Sequence, residues 1–141
     1  MIEQLIFPVI VLAVWTFVMA MWMFLTRIPT MTKMNIKPDD AKHTSEIAGL
    51  LPSKIRAVGD NYNHLHEQPT IFYALALGIA IAGHADALFV QLAWAFVGLR
   101  ILHSLVQVTF NAVMVRFVVF FISWLVLAVM GVREILNLMA S

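Results

Sequence analysis

The sequence contains no cysteine. That excludes disulfides, thiolate metal sites and a cysteine nucleophile, and it leaves the redox compartment open. Charge is also scarce. Asp, Glu, Lys and Arg make up 12% of the 141 residues, where a soluble domain carries roughly 25%. A chain that is 62% hydrophobic with so few charges cannot coat a water-facing surface, so lipid must be the solvent for most of it. The formal net charge of +1 gives no electrostatic reason to expect a nucleic-acid partner. The length leaves room for several membrane spans and one short loop. The expectation is therefore a single all-α domain over residues 1–141, a four-transmembrane-helix bundle.

The first apolar run is uncharged from Leu5 to Thr26, longer than the roughly 7–15 residues of a signal-peptide core. Glu3 precedes it and basic residues begin only at Arg27, so it reads as a retained span. A helix rising 1.5 Å per residue needs about 20 residues to cross a ~30 Å hydrocarbon core. On that measure the spans fall at about 5–26, 57–83, 87–108 and 112–136, with a polar loop at 27–56. The loop holds Arg27, Lys33, Lys37, Lys42, Lys54 and Arg56, and the other long connections have almost no Lys or Arg. The positive-inside rule places it in the cytoplasm and both termini on the other side. Asp39 and Asp40 are candidate caps of a short loop helix, and Pro52 with Ser53 is a candidate start of the next. Pro69 lies inside the second span and should kink it just after Glu67. Ala74, Gly78 and Ala82 repeat every fourth residue and would let another helix approach closely. His84-Ala85-Asp86 reads as the outer turn, and Thr109–Asn111 as the break between the last two spans.

Ionisable groups inside a span are costly unless paired or hydrated, so they are the default candidates for function. Singled out here are Glu67, Arg100, His103 and Arg116. Counted by helical rise from the cytoplasmic ends, all four fall roughly 7–15 Å deep. Arg100, His103, Ser104 and Gln107 are spaced three and four apart and form one stripe; Asp60, Asn63, His64 and Glu67 form another, from which His66 points away. Two facing stripes would make a hydrated pocket open to the cytoplasm. The plainer reading is a buried Glu67–Arg100 ion pair that fixes helix packing. Arg116 weighs against it, because a second buried cation has no second buried acid and points to an anionic ligand. A metal held by His64, Glu67 and His103 is disfavoured: two arginines would repel it, and His64 and His66 do not share a helical face. No metal is expected. His43 and His84 read as plain solvated residues.

The segment Asn63-His64-Leu65-His66-Glu67-Gln68-Pro69-Thr70-Ile71-Phe72-Tyr73, with Gly98-Leu99-Arg100-Ile101-Leu102-His103-Ser104, resembles the MAPEG family, the membrane-associated proteins of eicosanoid and glutathione metabolism. The likeness covers nearly the whole chain in length, span number and loop placement, and is to bacterial-type members similar to microsomal glutathione transferases. It implies a homotrimer of four-helix subunits in a bacterial inner membrane. It also implies glutathione as co-substrate, bound between subunits near the cytoplasmic side, and a lipophilic electrophile drawn from the membrane lipids. The positions it assigns to glutathione are Asn63, His64, Glu67, Arg100, His103 and Gln107, with Arg116 as the catalytic, thiolate-stabilising arginine. The sequence departs from the family pattern in three places. His64 stands where an Asn is common, Asn63 where an Arg often precedes it, and Gln107 where enzymatic members carry a tyrosine. These departures keep open a non-catalytic lipid-binding or scaffold member of the same family, with no turnover.

Overall fold

The computed structural model describes residues 1–40 and 42–141. It is all-helical: α1 (Ile2–Lys33), α2 (Thr44–Leu50), α3 (Ser53–His64), α4 (Gln68–Ala82), α5 (Ala87–Val108) and α6 (Val113–Ala140), with a 3-10 turn at Pro38–Asp40. Helices α1, α5 and α6 are long and apolar enough to cross a membrane, the make-up of an integral membrane protein. Much of their surface is apolar and exposed, as at Phe17, Leu25 and Met114, and suits a lipid surround.

Each helix end has a local cause. Helix α1 runs past Thr26, where a loop was expected, and reaches Lys33. The hydroxyls of Thr26, Thr30 and Thr32 donate to the carbonyls of Trp22, Thr26 and Ile28, so these polar side chains are satisfied within the helix as it leaves the apolar run. Asp39 and Asp40 do not cap a helix; they sit in the 3-10 turn. The short loop helix α2 is capped instead by His43, whose backbone N–H donates to Glu46 Oε2 at 3.3 Å. Pro52 stands immediately before α3, and Ser53 is its first residue.

The expected second span is not one kinked helix. Helix α3 stops at His64 and α4 starts at Gln68, leaving Leu65–Glu67 as a break. Pro69 has no N–H and its ring would strike the carbonyl of Leu65, so a continuous helix is blocked there. Pro69 instead opens a helix, where its missing donor costs nothing. Gly83 ends α4 in the left-handed conformation (φ 77°), and His84 N–H donates to Ile79 O at 3.1 Å, a turn suited to glycine. Asn111, at φ 51°, makes the corresponding left-handed corner between α5 and α6.

The core lies along one seam. Leu5, Leu12 and Met19 of α1 meet Phe72, Ala76 and Ile79 of α4 and Phe89, Ala93 and Phe96 of α5, all 0–1% exposed. Phe72 and Phe96 stack with centroids 4.6 Å apart. Helix α6 packs on α5 and α4 and closes the side that carries the polar stripe of α5.

Candidate functional site

The stripe on α5 is buried throughout: Arg100, His103, Ser104 and Gln107 are 0–5% exposed. Their spacing of three and four turns all of them toward α3 and α6. Gln107 Oε1 lies 3.1 Å from His64 Nδ1, joining α5 to the last residue of α3. The rings of His64 and His103 meet edge to face at 5.8 Å. These polar groups share one end of the bundle with the start of α6.

A cavity of 260 Å³ opens there, lined by the polar His64, Glu67, His103 and Arg116 and by the apolar Val113, Phe117 and Phe120. It combines a cation, a carboxylate and two imidazoles with an aromatic wall. Glu67 reaches it because the chain breaks there: the residue sits outside both helices and is exposed. Arg116 is half-buried; its Nη1 donates to Asn111 Oδ1, and its Nε is buried without a partner.

One reading left open by the sequence is closed here, and one expectation needs correction. The Glu67–Arg100 ion pair does not form, and neither does a Glu67–Arg116 pair; the ion pairs among the described residues are His84–Glu134 and Arg133–Asp86. Glu67 turns out to the cavity mouth, whereas Arg100 turns inward between α5 and α6. There Arg100 Nη2 donates to Ser123 Oγ at 3.1 Å, and its guanidinium lies 5.8 and 5.7 Å from the rings of Phe96 and Phe120. Arg116 has no acid to neutralise it among the described residues; Asn111, which holds it, is neutral and leaves the charge uncompensated. Finally, His84 is not a plain solvated residue: it contacts Glu134 at 2.9 Å.

Of the residues singled out from the sequence, His64, Glu67, His103 and Arg116 come together around the cavity. Gln107 supports it through His64. Arg100 lies behind the wall, and Asn63 is exposed and outside the lining. Sequence reasoning missed Ser123, whose Oγ donates to Val119 O at 2.8 Å and receives Arg100. A single hydroxyl in an otherwise apolar span was its signal. It also missed Asn61 and Gln68, both buried with every side-chain polar atom unpaired. Both lie one turn from His64 and inside the stretch already flagged as polar, so water or ligand atoms are needed at this end.

The family model described as MAPEG family matches residues 5–136 of this chain. No curated protein and no solved structure matches it.

Proposed function

This chain belongs to the MAPEG family, a family that includes glutathione transferases, and on that premise we propose that it is a glutathione-dependent membrane transferase or peroxidase acting on lipophilic electrophiles. The observation that carries the proposal is the half-buried guanidinium of Arg116, which lines the cavity and has only the neutral Asn111 as a partner. Glutathione has two carboxylates, one ammonium and one thiol. Arg116 suits a carboxylate or the thiolate, and Glu67, unpaired at the mouth, suits the ammonium. A guanidinium beside a thiol of pKa about 8.5 lowers it and raises the nucleophilic fraction at neutral pH. His64 and His103 supply donors or acceptors for the peptide groups. Val113, Phe117 and Phe120 give the electrophile an apolar approach from the lipid.

In this proposal α3 and α4 together make the fourth crossing, since α4 alone, at 15 residues, spans only about 22 Å. The subunit is then a four-helix bundle in a homotrimer. The Arg27–Arg56 segment faces the cytoplasm of a bacterium and both termini face away from it. Asn63 and Arg100 become ligand contacts only if a neighbouring subunit or a rotamer change brings ligand to them.

The test is a thiolate absorbance band on adding glutathione to the purified protein, present in the wild type and lost in Arg116→Ala. A second reading, a non-catalytic lipid-binding or scaffold member, is favoured by Gln107. This residue is buried and committed to His64 where enzymatic relatives carry a tyrosine. Glutathione binding without a thiolate band or turnover would select it.

A further inference from the structure

The opposite end of the bundle, where Met1 comes close to Gly83 and Ala85, holds a second polar cluster. Glu134 of α6 is 7% exposed, and its Oε1 lies 2.9 Å from His84 Nδ1. Its Oε2 is buried and has no hydrogen-bond partner among the described residues. Buried carboxylate oxygens are ordinarily met by a donor. The nearest cation is already taken: Arg133 is gripped by both oxygens of Asp86 and lies 4.4 Å over the Phe89 ring. With His84 neutral, these four side chains carry one excess negative charge.

Glu134 also lines a groove of 300 Å³ between α4 and α6, whose walls include Ala74, Gly78, Ala82 and Leu138. The small-residue stripe therefore faces open space rather than another helix of this chain; a Cβ added at Gly78 would meet no atom within 4 Å. Beside the groove is a polar cleft of 360 Å³ lined by His84, Asp86, Arg133, Asn137 and Ser141, with the Asp86 carboxylate neutralised by Arg133. A narrow apolar slot, a buried acceptor and a polar mouth thus follow one another at one end of the bundle. Apart from Arg133, every Lys and Arg belongs to the stretch 27–56 or to Arg100 and Arg116, and the Met1 ammonium lines a separate cleft with Glu3 and Gly83. The headgroups of the membrane supply the kind of donor that Glu134 lacks.

We propose that this is a binding site for a phospholipid with a primary-ammonium headgroup. An acyl chain lies along Ala74, Gly78 and Ala82, the ammonium donates to Glu134 Oε2, and the phosphate occupies the cleft beside Asn137. The excess negative charge selects a cation. The unpaired acceptor selects one with N–H groups, which a trimethylammonium of equal charge lacks.

The test uses the full-length protein in nanodiscs of equal phosphatidylethanolamine and phosphatidylcholine, with retained lipid read by native mass spectrometry. The expected result is at least tenfold enrichment of phosphatidylethanolamine in the wild type, falling to near parity in Glu134→Gln. Equal retention of both lipids by the wild type overturns the proposal without relying on any variant. Displacement of all retained lipid by hexadecylamine at equimolar ratio would assign the site to a free amine and overturn the phospholipid. A photo-reactive benzoylphenylalanine in place of Ile81, which lines the groove and is 87% exposed, should yield an adduct of lipid mass. An adduct with a second chain would show that protein covers the groove, and the proposal would fall.

Discussion

Replacing Arg116 by alanine removes the cation that the cavity keeps without an ionic partner. In the folded chain Arg116 donates to Asn111 and leaves its Nε buried and unpaired. No carboxylate pairs with it among the described residues. An anionic ligand in the cavity would therefore make a charge-assisted bond to Arg116 beside Phe117 and Phe120. Such a bond is worth ~1.5–3 kcal/mol, or about 10- to 150-fold in affinity. Titration calorimetry with glutathione on detergent-purified protein should show Arg116→Ala weaker by that factor. Arg116→Lys should recover only part of it, because an ammonium cannot make the forked contact. Asn111→Gly keeps the left-handed corner that φ 51° requires while removing the neutral partner, so it should bind within about threefold of wild type, far inside the alanine effect. The proposed homotrimer, read by light scattering, should survive all three changes. Wild-type affinity in Arg116→Ala, or loss of the assembly with affinity intact per folded chain, would refute the assignment and make the residue structural.

Three further outcomes follow from the same structure. Single cysteines at Ser45→Cys and Ala85→Cys, in a chain that has no other cysteine, should label from opposite sides of the membrane; labelling from one side would end the proposed topology. Phe72→Ala, at a fully buried position stacked on Phe96, should destabilise the bundle by ~3–5 kcal/mol, seen as a lowered midpoint in denaturant unfolding. The Arg133 guanidinium bonded to Asp86 holds that carboxyl down at about 2. The folded value lies below the unfolded one of about 3.9, so the stabilisation is complete above about pH 4 and is lost as pH falls through about 2. Arg133→Leu should return the Asp86 titration toward the ordinary carboxylate range in a carboxyl NMR experiment. Because Asp86 is 43% exposed, the accompanying change in stability at neutral pH should be small.

The polar layer was legible because its signal is local. Arg100, His103, Ser104 and Gln107 share a helical face by spacing alone, and burying that face follows from the scarcity of charge elsewhere. The break near Pro69 was legible in place but not in kind. A proline inside a helix and a proline opening one have the same sequence signature, and only the packing of α3 and α4 as separate segments decides between them. Depth counted along helices gives height but not rotation, so it allowed a Glu67–Arg100 pair that the structure does not form. Once α3 ends at His64, Glu67 leaves the helical register on which that pairing depended. The pairs His84–Glu134 and Asp86–Arg133 join residues 50 and 47 positions apart, a separation at which no periodicity carries information.

What the sequence determined by itself is the solvent and the building unit. Sixty-two per cent hydrophobic residues and 12% charged ones require lipid. Backbone groups in lipid must be satisfied within each segment, so helices are the outcome whatever the packing. It also determined which faces of those helices are polar. The tertiary structure decided which polar groups meet. It gave Arg100 to Ser123, Arg116 to Asn111 and Glu134 to His84, and it left Glu67 free at a cavity mouth. Helix formation is set by neighbours four residues apart, whereas the partner of a buried charge is set by how whole helices turn against one another, which depends on every side chain in the seam at once.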